Sequence, residues 1–340
     1  MSEDYLLLEH GSGGRAAQRL IRDLFLPHFA NPVLERMDDA AYLEAGPGAL
    51  AMSTDGYTVD PVEFPGGDIG CLAVHGTVND VSMLGARPLY LSCAFIMEEG
   101  LPLSLLERLA RSMGKAARAA GVLIVTGDTK VVPRGAADKI FIVSTGIGRI
   151  LAEPAPGGAR AAVGDAVLVS GQVGEHGLTI LTAREGIRGF AGLRSDCASL
   201  NHLVEALIRE IGNIHVLRDP TRGGLATALG EIAVQSGTVC RVRERDVPVR
   251  AETAAACSLL GLDPLYLANE GKLICILPAA KAEAALTVLR RFPEGRAAAC
   301  IGTIEAPGAG TRSGQTVLET APGGRRLLPI LEGEPLPRIC

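Results

Sequence analysis

Leu89-Tyr-Leu-Ser-Cys-Ala-Phe-Ile-Met97 and Ile140-Phe-Ile-Val-Ser-Thr-Gly-Ile-Gly-Arg-Ile150 are dense in β-branched and aromatic residues and are bounded by Gly or Pro. Both read as strands. Between them Leu105, Leu106, Leu109, Met113 and Ala116 recur at helical spacing, with basic residues on the opposite side and Gly121 as the stop. The order is strand, helix, strand. Glu153-Pro-Ala-Pro-Gly-Gly158 then breaks all periodicity and suits a linker. The second half offers strands at Ala166–Ser170 and Lys272–Leu277 and helical patterns near Ser199–Ile211, Leu225–Ser236 and Ala279–Arg291. Each half ends a helix-then-strand passage on a similar phrase, Thr145-Gly-Ile-Gly-Arg-Ile150 and Cys300-Ile-Gly-Thr-Ile304, which hints at two related α+β units. The expected division is 1–152, 159–330 and a tail of 331–340.

A chain of 340 residues exceeds the size at which one core stops growing, so two domains are expected. Nearly half the residues are apolar and there is no Trp, so Ala, Val, Leu and Ile must build the interior. A formal charge of -5 without a Lys/Arg run argues against nucleic-acid or anionic-membrane binding. The N-terminus is acidic and its apolar run covers only Tyr5 to Leu8, which fits neither a signal peptide nor a membrane span, so a cytoplasmic location is expected.

Eight cysteines are scattered from Cys71 to Cys340 without a C-x-x-C pair, so common zinc-ribbon and thioredoxin spacings are absent. Most sit in apolar runs as small core residues. Cys340 differs, because it ends a tail with two prolines and no periodicity, which reads as extended and mobile. Ten extended residues span up to ~35 Å, enough to carry a thiol between two sites. The adjacent terminal carboxylate disfavours the thiolate, so Arg338 or a partner is expected to assist. The alternative is a chance cysteine in a disordered tail.

Four acidic motifs fall in the first half: Met37-Asp-Asp-Ala-Ala41, Ser53-Thr-Asp-Gly56, Val78-Asn-Asp-Val81 and Thr126-Gly-Asp-Thr-Lys130. Singly, such Asp-Gly and Gly-Asp pairs are turn formers. Together they favour convergence on Mg²⁺, which takes a few carboxylates plus substrate phosphate oxygens, with Lys130 neutralising phosphate charge. His10-Gly-Ser-Gly-Gly-Arg15 offers backbone N–H groups to phosphate, or is a flexible terminus; it matches neither the P-loop nor the dinucleotide fingerprint. Asp219-Pro-Thr-Arg-Gly-Gly-Leu225 opens a helical pattern, with Thr221 as its expected cap and Arg222 as an anion contact; a capped helix start alone would account for it. Asn269-Glu-Gly-Lys272 reads by itself as a solvated turn before a strand.

These phrases together resemble the ATP-binding superfamily of aminoimidazole ribonucleotide synthetase, selenophosphate synthetase and thiamine monophosphate kinase, and most closely the HypE family of hydrogenase maturation factors. The resemblance runs nearly end to end. It rests on the motifs quoted above, on Gly76-Thr-Val-Asn-Asp-Val-Ser-Met-Leu-Gly-Ala-Arg-Pro88, on Asn269-Glu270-Gly, and on terminal Pro337-Arg-Ile-Cys340, which separates HypE from its relatives. Gly174-Glu-His-Gly177 stands where Gly-Asp-His-Gly is expected.

The resemblance implies an α+β fold of two α/β-sandwich domains of the aminoimidazole ribonucleotide synthetase type, pairing as a homodimer through the first domain, with ATP near the shared surface. It implies a carbamoyl dehydratase. A HypF-type carbamoyltransferase would load Cys340, ATP would drive conversion of the thiocarboxamide to a thiocyanate, and a HypC–HypD complex would accept cyanide for the iron of [NiFe]-hydrogenase. ATP contacts are expected from Gly11, Ser12, Gly13, Gly14, Asp39, Thr54, Asn79, Thr129, Lys130, Asp219 and Arg222. Asp38, Asp55, Asp80 and Asp128 would hold Mg²⁺. Glu270 would be the base, with Lys130 as a relay and Asp80 beside them. His75 is a weaker base candidate and reads equally as a satisfied histidine in an apolar run. A small-molecule kinase or synthetase of the superfamily is one alternative, and leaves Cys340 unexplained. A nucleotide-gated scaffold for other maturation proteins is the other.

Overall fold

A computed structural model describes residues 5–11, 14–36, 43, 47–190, 192–308, 310–331, 336 and 338–340. Two large sheets organise these residues, beside a two-stranded ribbon of Glu63–Phe64 and Gly67–Asp68. In the first, β1 (Leu50–Tyr57), β2 (Ala86–Glu98), β3 (Leu123–Val132) and β4 (Ile140–Ile150) lie in the order β1-β4-β2-β3, antiparallel except for the β2/β3 pair. Helices α1 (Ile69–Met83) and α2 (Leu103–Ala120) cover one face.

The expected amphipathic helix is α2, and it stops where Gly121 takes the left-handed conformation. Its Leu106, Leu109 and Met113 are fully buried, and each such side chain contributes roughly 1.5–3 kcal/mol. The two helices approach closely at Gly70, where an added Cβ would lie 2.4 Å from the Leu109 carbonyl oxygen. Asp68 caps α1 by accepting from the Cys71 N–H.

The other face of this sheet is open. Register across the strands aligns Met52, Ile147, Tyr90 and Leu123 in one row on that face, and Met52 is 66% exposed.

The second sheet contains β5 (Asp165–Val169), β6 (Val216–Arg218), β7 (Val239–Arg243), β8 (Ile274–Pro278), β9 (Ala299–Glu305), β10 (Gln315–Glu319) and β11 (Arg325–Leu327), ordered β11-β10-β7-β9-β5-β8-β6. It is covered on both faces. Val167 and Val169 join a cluster with Leu225, Leu229 and Ile232 of α5 (Gly224–Ser236). Ala166 and Leu168 join another with α4 (Asn201–Glu210) and α7 (Ala282–Leu289). Two-sided burial explains why β5 and β8 read as unbroken apolar runs rather than alternating ones. Between them in sequence, α3 (Glu175–Arg184) and α6 (Ala251–Leu260) pack on each other. The two halves join where Asn79 of α1 bonds Ala198, Leu200 and Glu270, and where Asn201 of α4 donates to the Ala120 carbonyl.

Candidate active site

The segment before α5 differs from the expected cap. The helix starts at Gly224 with Gly223 as N-cap in the left-handed region, and no side chain caps it; Thr221 contributes only its carbonyl, to the Gly224 N–H. Both glycines have positive φ, and a Cβ on Gly224 would lie 2.6 Å from the carbonyl oxygens of Leu265 and Leu267. The pair serves a tight turn against 264–267, and leaves Asp219, Thr221 and Arg222 at the domain junction.

These residues meet Thr54 and Asp55 of β1, Gly76 and Asp80 of α1, Glu270, and Cys340 around one cavity of about 160 Å³. Arg222 Nη2 lies 3.9 Å from Asp55 Oδ1, and Ser53 Oγ donates to Asp80 Oδ2 at 2.7 Å. The electrostatics are unusual. Burial, and then the neighbouring Asp80, push Asp219 up to about 7. Burial raises Asp80 too, eased by Ser53 and by a hydrogen bond with Asp219. Glu270 is driven well above the usual carboxylate range, first by burial and then by Asp219, Asp196, Asp55 and Asp80. Like charges this close ionise together only when a cation joins them.

A stability prediction follows from Asp219. A carboxyl raised in the folded state stabilises fully below its unfolded pKa, and the contribution is lost as pH rises through the folded value. Without divalent cation, stability should therefore fall between about pH 4 and 7, by up to about 1.4 kcal/mol per pH unit. Asp219→Asn should flatten that slope in thermal melts recorded with a chelator, and an unchanged slope would refute the assignment.

Glu270 is not a solvated turn residue but is buried, as are Asn269 and Lys272. Asp196 explains this: its two oxygens accept the N–H groups of Glu270 and Gly271, and its Oδ2 pairs with Lys272 Nζ at 3.1 Å. Asn79 has both amide hydrogens and its carbonyl bonded to protein backbone, so it braces Glu270 from the other side.

Asp128 and Lys130 lie elsewhere in the chain. Asp55 aligns through Ser144 and Cys93 with Gly127, so Asp55 faces the helices whereas Asp128, one residue on, faces the open side. Asp128 and Lys130 pair at 3.3 Å and both are well exposed; Thr129 donates its N–H to Asp128. Exposed Thr54 bonds Thr145 on the open face. Gly11 ends a 3-10 turn and Gly14 starts a helix, with His10 accepting from Leu7 N–H. Ser12, Gly13, Asp38 and Asp39 lie outside the described residues. His75 does not line the cavity: its Nδ1 is 2.6 Å from Ser199 Oγ, and burial pushes it down to about 4.

The C-terminal end is docked in the structure. Cys340 O accepts from Thr58 N–H and Oγ1, Arg184 donates to Arg338 O, and Ile339 is buried. His176 Nε2 is 2.8 Å from Ile339 O, so that nitrogen carries the proton and Nδ1 accepts from Ser195 Oγ. Burial lowers the His176 pKa, keeping the ring neutral. Arg338 differs from its expected role beside the thiol: it donates to Thr58 O and Asp138 Oδ2 and stacks over Phe141. The sequence carried one sign of the dock, the Gly-Glu-His-Gly phrase at the start of α3; Glu175 there accepts from Arg250.

Known proteins similar to this chain are numerous. The AIR synthase related protein families match residues 37–150 (N-terminal domain) and 162–314 (C-terminal domain). Carbamoyl dehydratase HypE of Azotobacter vinelandii is 50% identical over 331 residues, covering 97% of this chain and 96% of the relative. The crystal structure of hydrogenase maturation protein HypE in complex with ATP is 66% identical, with TM-score 0.96 over 98% of this chain and 100% of that one. A HypE–HypF complex contains a chain 43% identical with TM-score 0.79, covering 91% of this chain and 99% of that one. With identity sustained over nearly the whole length and both domain families in register, the chain belongs to the carbamoyl dehydratase HypE family of AIR synthase related proteins.

Proposed function

We propose that this chain uses ATP to dehydrate a carbamoyl group carried on its own Cys340, giving a thiocyanate. The observation that carries the reading is the docking of Cys340 in the cavity shared by Asp55, Asp80, Asp219, Arg222 and Glu270. A second reading, as a kinase of a free small molecule, leaves that cysteine without a task.

The reaction converts R–S–C(=O)–NH₂ and ATP to R–S–C≡N, ADP and phosphate. The carbamoyl oxygen attacks the γ-phosphorus and ADP departs. Loss of the N–H protons and departure of phosphate then leave the C≡N bond. Glu270 takes a proton from nitrogen, because it is a buried carboxylate of the cavity with raised proton affinity, braced through its backbone by Asp196 and Asn79. Arg222 offsets charge on the transferred phosphoryl group. Asp55, Asp80 and Asp219 suit Mg²⁺, whose charge would relieve their mutual repulsion and screen the phosphates when bound.

The acyl carrier must also leave the cavity to be loaded. A HypF-type partner fits that step, since a solved complex pairs HypE with HypF, and an end held at 338–340 by a few hydrogen bonds is suited to release. The ATP-bound relative supports nucleotide binding here. Asp128, Thr129 and Lys130 are proposed to meet phosphates from the open face of the first sheet, and the apolar row of Met52, Ile147, Tyr90 and Leu123 favours pairing of two copies over it. A cytoplasmic setting and a HypC–HypD acceptor of cyanide for [NiFe]-hydrogenase iron complete the proposal. Among the described residues no helix is long and apolar enough to cross a membrane.

Incubation with HypF, carbamoyl phosphate and ATP, followed by mass spectrometry of the C-terminal peptide, should show a carbamoyl adduct that then loses one water. An adduct that forms but keeps its water under saturating ATP and Mg²⁺ would sink the reading.

A further inference from the structure

Cys71, His75 and Cys197 lie outside the cavity around Cys340, and nothing in the dehydration uses them. Their candidate ligand atoms, two sulfurs and one imidazole nitrogen, all lie within 4.8 Å of one another. Cys71 and His75 are four residues apart on α1, hence on one face of the helix. Cys197 arrives from the other half of the molecule, and its sulfur lies within 4.8 Å of that of Cys71. Both cysteines are free and half-buried.

Tetrahedral zinc with bonds of about 2.0–2.3 Å places its ligand atoms about 3.5–3.8 Å apart, so only small side-chain shifts would close the set. Around Cys71 and His75 the local chemistry favours the ligand state. Cys71 sits in the first turn of a 15-residue helix, where the helix dipole stabilises a thiolate, and Asp68 N–H points at its sulfur at 3.3 Å. Ser199 Oγ bonds His75 Nδ1 at 2.6 Å, the kind of outer contact that orients metal-binding imidazoles. We propose that Cys71, His75 and Cys197 form a Cys₂His site for a zinc-class divalent cation, with water completing four-coordination.

Its position indicates the purpose. The site would tie α1 to residues 195–200, and that short segment supports the dehydration machinery. Ser195 holds His176, which holds Ile339. Asp196 holds the backbone of Glu270 and Gly271. Ala198 and Leu200 are bonded by Asn79. The cation would act as a clamp across the two domains, fixing both the base and the docked end. Metal binding itself is independent of the dehydratase reading; only this consequence rests on it.

The test is titration of the reduced, chelator-stripped full-length protein with Co²⁺ and then Zn²⁺. One equivalent of Co²⁺ should give a near-ultraviolet thiolate-to-cobalt band that persists in Cys340→Ala, which removes the one sulfur lining the acidic cavity, and Zn²⁺ should bleach it. Cys197→Ser should weaken binding at least tenfold, while Cys340→Ala and Cys300→Ser leave the band intact. With excess Mg²⁺ present to occupy the acidic cavity, Zn²⁺ should raise Tm of the parent chain by several degrees but not of Cys197→Ser, a readout that also reports whether the variant folds. The proposal is overturned if no thiolate band forms, if the band survives Cys197→Ser, or if it vanishes with Cys340→Ala. It is equally overturned if peptide mapping of the unreduced protein finds Cys71 and Cys197 joined as a disulfide that Zn²⁺ cannot displace after reduction.

Discussion

Cys340→Ala should gain no carbamoyl mass and lose no water, with carrier-dependent ATP turnover below detection. The loss is total because the thiol is the covalent attachment point, and among the residues lining the cavity no other is a cysteine. The variant should otherwise be intact. The end is held through backbone, with Thr58 donating to Cys340 O, His176 to Ile339 O and Arg184 to Arg338 O, so removing one sulfur leaves the dock in place. Nucleotide binding, measured by calorimetry, should stay within a few-fold of the parent. If Cys340→Ala still hydrolyses ATP at the parent rate in the presence of a free small substrate, the chain is a kinase and the docked cysteine has another meaning.

Part of the first domain is legible because its signals are local: β2, α2 and β4 are expected, whereas β1 and β3 are read only as acidic motifs. Strand boundaries carried Gly or Pro, and α2 declared itself by spacing and by Gly121, whose left-handed φ of 72° ends it. Three of the acidic motifs lie not in loops but on β1, α1 and β3, where Asp55 and Asp80 line the cavity and Asp128 does not. What they could not tell was the face on which each side chain lands. Asp55 and Asp128 have equivalent-looking Asp-in-turn contexts, yet the strand register sends them to opposite sides of the sheet, and register is a tertiary property. The errors at Thr221 and Glu270 share a cause. Gly223-Gly224 turns against Leu265 and Leu267, and Glu270 is buried by an Asp196 carboxylate 74 residues earlier. Neither partner is visible in a local window. The C-terminal end shows the same limit: a proline-containing decapeptide has no periodicity, and the groups that dock it are Thr58, His176 and Arg184, far away in the chain. Cys71 and His75 were one helical turn apart in plain view, but only folding brings Cys197 to them.

Glu270→Gln should separate loading from dehydration. The substitution keeps the shape of the side chain, and the backbone contacts to Asp196 and Asn79 do not depend on its charge; the partner should therefore carbamoylate Cys340 at the parent rate. Water loss from the loaded chain should then slow by roughly 10²–10⁴, the usual contribution of a positioned general base. The pH profile supplies a second, independent readout. Burial and four neighbouring acids raise the Glu270 pKa, so its basic form grows as pH rises, and the parent's single-turnover rate should climb along an acid limb well above the range of an ordinary carboxylate. Added Mg²⁺ should shift that limb to lower pH, because a cation among Asp55, Asp80 and Asp219 favours the ionised form. Glu270→Gln should abolish the limb, which a variant merely loosened in structure would retain. Water loss from pre-carbamoylated Glu270→Gln at the parent rate, with the limb intact, would place the base on another residue and leave Glu270 as a buried brace between the two domains.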